Sequence, residues 1–288
     1  MDSGVELVVL GNVQDGGFPH IGCKKDCCRT LLDNNTSGKV SALGLIDRAS
    51  GKAFLFDATP DLGFQWYTLN LLAGDTLLQP SGILLTHAHI GHYTGLMYLG
   101  RESRNTNAVP VYAMPKMAEF LNNNGPWNQL VTLNNISIIP IYAKQVVTLT
   151  KTITVRSFKV PHRDEYSETV GYEITGASKK AIFIPDIDKW EKWTESILDK
   201  IKEVDYAFLD GTFYDTTEVG YRDISEIPHP FIVESLSLFE SLDAADRKKI
   251  YFIHFNHTNP LLNPESDESK NVLNLGFQIA REGMIFKL

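Results

Sequence analysis

The chain has 288 residues, 43% apolar and 22% charged, proportions that support one substantial core and argue against disorder. Its net charge of -8 argues against a nucleic-acid groove, which needs clustered Lys and Arg, so nucleic acid is a poor partner. No apolar run approaches the roughly 18 to 20 residues that cross a bilayer, and the start Met1-Asp2-Ser3-Gly4 lacks the basic and apolar regions of a signal peptide. A cytoplasmic protein without membrane contact is expected, or a periplasmic one whose leader has been removed.

Stretches rich in Val, Leu and Ile predict strands over residues 6–10, 40–47 and 53–56, the last two joined by a turn at Arg48-Ala49-Ser50-Gly51. All three cysteines, Cys23, Cys27 and Cys28, fall in the preceding loop. An odd number within six residues is no disulfide framework. With His20 they offer up to four soft or borderline ligands, the set that structural zinc asks for; buried or reactive thiols are the alternative. Apolar periodicity predicts helices over 61–72, 92–99 and 115–122. Strands follow over 136–141, 145–150, 153–160, 171–175 and 180–185.

The stripe Trp190, Trp193, Ile197 and Ile201 has helical spacing and predicts a core-facing helix. A strand over 206–210, a long loop over 211–230 lying across the site, and a helix over 231–242 come next. A strand over 249–255 and a final segment, 278–288, folded about Arg281-Glu282-Gly283, close the sheet system. No linker or shift in composition interrupts the chain, so residues 1–288 read as one α/β (α+β) domain, with two mixed sheets packed face to face and helices outside.

The densest chemistry lies in Leu84-Leu85-Thr86-His87-Ala88-His89-Ile90-Gly91-His92, where three of the eight histidines occur within six residues after a short apolar strand. Imidazole is the commonest side-chain metal ligand, and this clustering at a strand end points to a metal site. Five further polar residues, Asp57, His162, Asp186, Asp210 and His254, each stand at or just beyond the end of an apolar strand, where a scaffold can present them to one cleft. His257, three residues past His254, reads as a substrate contact or an orienting group.

These motifs resemble the metallo-β-lactamase fold superfamily, whose hallmark His-x-His-x-Asp-His matches at His87, His89 and His92, with Gly91 where the Asp stands. A narrower resemblance, to the B-protein family of pyrroloquinoline quinone biosynthesis, is carried by Gly16-Gly17-Phe18-Pro19 with Cys23 and Cys28, by Ala58-Thr59-Pro60-Asp61, and by His254-Phe255-Asn256-His257-Thr258-Asn259-Pro260-Leu261-Leu262. That family has a further loop cysteine where Lys25 stands here. The resemblance implies an αββα sandwich with one or two active-site zinc ions, while iron or manganese also suits imidazole and carboxylate.

By the same pattern His87, His89 and His162 would hold the first ion, and His92, Asp186 and His254 the second, with Asp186 shared and Asp57 orienting a ligand histidine. Gly91 removes a carboxylate, so the second site is expected to bind weakly or to take a water there, and Gly91→Asp to tighten it. Asp210 and His229 are the candidates for proton transfer. The expected activity is hydrolysis of a small ester, lactone, amide or phosphodiester by a metal-bound hydroxide. The alternatives are a metal-dependent oxygenase of the quinone-biosynthesis type and a metal-binding carrier without turnover. The partner is a small molecule, and a homodimer is compatible.

Overall fold

The computed structural model describes residues 4–219 and 227–288. Its strands are β1 (Val5–Gly11), β2 (Ala42–Asp47), β3 (Lys52–Phe56), β4 (Gly82–Leu84), β5 (Val109–Ala113), β6 (Ile136–Pro140), β7 (Val146–Thr148), β8 (Thr154–Lys159), β9 (Val170–Thr175), β10 (Lys180–Ile184), β11 (Tyr206–Asp210), β12 (Ile250–Ile253), β13 (Gln278–Ile279) and β14 (Ile285–Lys287). One seven-stranded sheet runs β14-β1-β2-β3-β4-β5-β6 and the other β13-β12-β11-β10-β9-β8-β7. Both are mixed.

Side chains alternate across a strand, and here both faces of the central strands are apolar because both are covered. In β3, Phe54 and Phe56 join the core between the sheets, whereas Ala53 and Leu55 join the core under the helices of the first sheet. In β10, Ala181 and Phe183 face the inter-sheet core while Ile182 and Ile184 face outward into a third core. The helices α2 (Leu62–Leu72), α4 (Pro115–Asn123) and α5 (Trp127–Thr132) cover the first sheet through Leu62, Leu69, Met117 and Leu130. On the second sheet α6 (Ile197–Lys202), α7 (Ile232–Phe239) and α9 (Asp267–Asn274) contribute Ile197, Ile201, Ile232, Leu236 and Val272. The result is the expected αββα layering.

Several elements depart from the sequence reading. The stripe from Trp190 to Ile201 is not one helix: a single turn at Trp190–Lys192 ends with Trp193 extended, and Ser196 caps α6 afresh by accepting the Asp199 N–H. All four apolar side chains still enter the same core, so burial is served without helical continuity. The cysteine loop contains a helix, α1 (Asp26–Asp33), and β5, α5 and α9 were not expected. The helix expected over 92–99 is a short α3 (Ile90–Tyr93) followed by a 3-10 segment, Thr94–Leu99. Of the loop expected over 211–230, residues 220–226 lie outside the described residues. Among the described residues no helix is long and apolar enough to cross a membrane.

Strand direction places the site. β1 and β3 are both antiparallel to β2, and β3 is parallel to β4, so β1, β3 and β4 end on one side of their sheet. β10, β11 and β12 are parallel, and β8 joins them through two antiparallel pairings with β9. The loop after β3 is fastened to the histidine segment by Ala58 N–H to the His92 carbonyl, 2.8 Å, and Gly95 N–H to the Ala58 carbonyl, 2.9 Å. A Cβ on Gly95 would overlap the Thr59 carbonyl oxygen and stand 2.9 Å from Leu62 Cβ. Gly95→Ala should therefore lower stability by about 2 kcal/mol or more, as overpacking against fixed backbone does; urea denaturation reads it, and an unchanged midpoint would contradict this packing.

Candidate metal centre

Each polar strand-end residue named from the sequence reaches one cleft. Asp57 and His254 lie immediately beyond β3 and β12 with left-handed backbone, φ of 70° and 68°, and both are fully buried. This conformation is uncommon for residues other than glycine and is kept where surrounding contacts impose it. Asp57 accepts the Thr86 N–H at 2.8 Å and the Thr86 hydroxyl at 3.0 Å.

The hydrogen-bond network fixes which imidazole nitrogens face inward. Thr86 donates its single hydroxyl proton to Asp57, so at 3.0 Å it accepts from His87 Nδ1, leaving the His87 Nε2 lone pair free. His92 Nδ1 donates to Asp57 Oδ2 at 2.7 Å, and His162 Nδ1 to Asp188 Oδ1 at 3.2 Å. Thr212 donates to Asp210 Oδ1 at 2.7 Å and accepts from His254 Nδ1 at 3.0 Å. His89 turns Nε2 to Glu165, 3.3 Å, and Nδ1 to the interior. Five imidazoles thus turn one ring nitrogen into the cleft, held from behind by carboxylates or hydroxyls, the arrangement that orients ligating histidines.

Two groups result. His87 Nε2 is 2.8 Å from His89 Nδ1 and 3.3 Å from Asp186 Oδ2, while His162 Nε2 lies 3.3 Å from both His89 Nδ1 and Asp186 Oδ1. In the second group Asp15 Oδ1 is 3.3 Å from His92 Nε2 and 3.5 Å from His254 Nε2. Asp186 Oδ2, 3.8 Å from His92 Nε2, stands between the groups. Each set lies within the span that one cation can bridge. Asp15 Oδ1, His92 Nε2, His254 Nε2 and Asp186 Oδ1 are buried and make no hydrogen bond. Buried polar atoms seldom go unpaired, and four doing so around shared points fit metal ligation.

The electrostatics keep the carboxylates ionised and His87 neutral, while those carboxylates favour a proton on His92 and His162 that a bound cation would have to displace. Burial raises Asp186, but His162 and His229 outweigh it and hold the carboxyl well below the usual range. Burial and the neighbouring His92 charge keep His87 well below its ordinary value, hence neutral. Burial draws His162 down, yet Asp186 and Asp188 push it up to about 9; Asp57 and Asp15 likewise overcome burial to raise His92. His229 lies buried at the rim of the cleft, with Nδ1 2.9 Å from Asp210 Oδ2 and 3.1 Å from Asp186 Oδ1; these carboxylates overcome burial and raise it to about 10. Asp210 is wholly enclosed, accepting from Thr212, His229 and the Ile187 N–H, so it orients its neighbours and has no access to a substrate.

Three expectations are corrected. Gly91 does not leave a gap in the second group, because Asp15, from the loop after β1, is already there; it was not named from the sequence. His257 is not at the cleft. Its Nδ1 stands 3.4 Å from Cys28 Sγ and 3.8 Å from Cys27 Sγ, and together with Cys23 the four form a separate ligand group. Burial and the charges of His20 and Lys25 lower His257 to about 4, which leaves it neutral. His20, expected as a fourth ligand, stacks its ring 4.5 Å from that of His257 and gives its backbone N–H to Cys28 Sγ. The missing signal was an odd cysteine count in want of a fourth donor.

Residues 52–255 match the beta-lactamase superfamily domain, and the chain belongs to that family. Its sandwich is the metallo-β-lactamase fold. The zinc-bound PqqB of Methylobacterium extorquens superposes with a TM-score of 0.82 at 21% identity, covering 98% of this chain and all of that one. A diphosphatase of the PhnP family superposes with a TM-score of 0.67 over 99% of this chain and 97% of its own, also at 21% identity. In sequence the chain resembles coenzyme PQQ synthesis protein B of Gluconobacter oxydans, 23% identical over 99% of both chains.

Glu218 accepts the hydroxyl of Thr258, the residue after His257, at 2.9 Å and the Tyr214 N–H. Burial raises its pKa to about 7 from an ordinary 4.5. The folded chain therefore binds this proton more tightly than the unfolded one, so stability falls as pH rises from about 4.5 to about 7 and the loss is complete above that. Glu218→Gln should gain about 1–3 kcal/mol at pH 8 and little at pH 4.5. Denaturation at both pH values checks it; an equal effect at both would refute the burial argument.

Proposed function

We propose that the chain is a metal-dependent hydrolase of a small ester, lactone, amide or phosphodiester. The observation that carries this reading is the convergence of five imidazole nitrogens and the Asp15 and Asp186 carboxylates on two neighbouring points. His87, His89, His162 and Asp186 would hold one divalent cation, and Asp15, His92, His254 and Asp186 a second. Zinc suits this nitrogen and oxygen donor set, as iron and manganese do. Bound there, such a cation polarises an ester or phosphoryl oxygen and lowers the pKa of its water to about 7, which supplies hydroxide at neutral pH.

The chain's own groups supply the rest. Asp57 and Thr86 fix the His92 and His87 rings, and Thr212 and Asp210 fix His254, so the donors need little reorganisation. His229 keeps a proton on Nδ1 between Asp210 and Asp186, beside the cleft, and is the group placed to serve the leaving atom. Metal analysis of protein purified without added metal, combined with a panel of ester, lactone and phosphodiester substrates, tests the reading. His89→Ala should lose the ion of the first position, and activity with it. His229→Asn should keep the metal and lower kcat by about 10² to 10³, the range for loss of a general acid. Metal retained in full by His89→Ala would overturn the assignment.

The near full-length likeness to coenzyme PQQ synthesis protein B favours a second reading, a metal-dependent oxygenase acting on a quinone precursor. Iron in the purified protein with substrate-dependent oxygen consumption would select it, and zinc with hydrolysis would reject it. Metal without turnover on either panel would leave the carrier reading.

Cys23, Cys27, Cys28 and His257 are proposed to hold a structural zinc apart from the cleft. Such an ion joins the cysteine loop to the segment after β12, so its binding is linked to folding of both. Cys28→Ser, or chelation, should lower the melting temperature by several degrees. Three thiols reacting freely with a thiol reagent in the native, zinc-loaded protein would contradict the assignment.

A further inference from the structure

We infer that Asp15 supplies the acidic ligand of the second cation position from the loop after β1, and that Gly91 is glycine because Asp15 occupies the volume of its side chain. The inference rests on the two-cation reading of the cleft and concerns which residue completes it.

Three independent observations meet at Asp15. Its Oδ1 is buried, lies 3.3 Å from His92 Nε2 and 3.5 Å from His254 Nε2, and hydrogen-bonds to neither. Both imidazole nitrogens are themselves buried and unpaired, with their opposite nitrogens committed to Asp57 and Thr212. A carboxylate oxygen and two ring nitrogens that face one point without a hydrogen bond among them are placed to share one cation, which would displace any proton held on His92.

The second observation is steric. An ideal Cβ built on Gly91 overlaps Asp15 Oδ1, and stands 2.6 Å from Asp15 Cγ and 2.8 Å from Asp15 Cα. Real Cβ atoms do not approach neighbours so closely. The two side chains are mutually exclusive: a carboxylate reaches this space from residue 15 or from residue 91, never from both. Gly91 itself has no left-handed φ that would require glycine, so room for Asp15 is what its missing side chain provides.

The third observation is that Asp15 is held in place by backbone. Gln14 N–H donates to the Phe255 carbonyl and Phe255 N–H to the Asn12 carbonyl, both 2.8 Å, while Gly17 N–H closes a turn on the Gln14 carbonyl at 2.9 Å. The chain carrying Asp15 is thereby paired with the residue next to His254. A carboxylate fixed in this way is a preorganised ligand.

The exchange predicts reciprocal behaviour. Mn2+ serves as the probe because it prefers carboxylate and imidazole to the thiolates of the cysteine group. Metal-free protein is titrated with Mn2+ alone, free ion is counted by its EPR signal, and folding of each variant is followed by circular dichroism. The unmodified chain should take up two Mn2+. Asp15→Ala should weaken one of them at least about tenfold, since losing a direct ligand costs no less than losing a group behind one, and leave the other within about threefold. Asp15→Asn, close in size, replaces it if Asp15→Ala does not fold.

Gly91→Asp alone should also lose the weakened ion and melt at lower temperature. The double variant Asp15→Gly/Gly91→Asp frees the space, requires the loop to give by a few tenths of an ångström at residue 15 Cα, and should recover the second ion to within about threefold. Undiminished binding of two ions by Asp15→Ala or Asp15→Asn would overturn the inference and leave the two-cation reading intact, as would Gly91→Asp folding at full stability with both ions tight. A double variant that fails to recover the second ion, folded or unfolded, also overturns the exchange. Uptake of a single Mn2+ by the unmodified chain would overturn both.

Discussion

Buried negative charge is the constraint around which this molecule is organised. Asp57, Asp186 and Asp210 are almost wholly enclosed, and Asp15 adds a buried oxygen to the same seam between the two sheets. Carrying an isolated carboxylate into a protein interior costs several kcal/mol even after relaxation. Each must therefore meet donors or cations, and the cleft can be read as a list of how each does so. Asp57 is satisfied by Thr86 and His92, and Asp210 by Thr212, His229 and a backbone N–H. Asp15 and Asp186 alone have an oxygen without a hydrogen bond. The carboxylates that orient imidazoles are thus separated from those that keep an unpaired oxygen.

The fold meets this constraint through strand direction and backbone strain. Seven strand ends, from β1, β3, β4, β8, β10, β11 and β12, supply the polar groups, while the residues inside those strands are spent on three apolar cores. A strand that continued past Phe56 or Ile253 would send Asp57 or His254 to an alternating face of the sheet. The left-handed φ at both positions turns the chain there instead. Stability of the apolar layers is what tolerates two such residues within one cleft.

This division explains what could be read from the sequence. His87, His89 and His92 are close in the chain, and Asp57, His162, Asp186, Asp210 and His254 each follow a recognisable apolar strand, so position alone pointed to them. Asp15 lies four residues past the end of β1, beyond the irregular Asn12-Val13-Gln14, and an Asp before two glycines reads as a turn. Only its contact with Gly91, 76 positions away, gives it meaning. His257 was misplaced for a similar reason: proximity to His254 suggested the cleft, but the turn after Phe255 carries it to the cysteines. In the fold, β5 was obscured by Pro110 within its run. The polar helix α9 buries only Ser269 and Val272, too few for a visible apolar stripe.

The two ligand groups are joined by short lengths of chain. Residues 15 and 23 of one segment and residues 254 and 257 of the other belong to the cleft and to the cysteine group respectively. The segments are tied where they pass, since Val13 forms a parallel bridge to Phe255 and Gln14 donates to the Phe255 carbonyl. Between the groups, the His20 ring fills the space beside Gly16, which a Cβ there would invade, and stacks on His257. Neither segment is regular secondary structure through this stretch, so little besides these contacts sets the positions of Asp15 and His254. A closure formed by three cysteines and His257 would fix the far ends of both segments and reduce the freedom of the near ones. Under the proposed structural zinc, the cysteine group would serve the cleft by limiting the separation of Asp15 and His254, although no atom of it reaches the site.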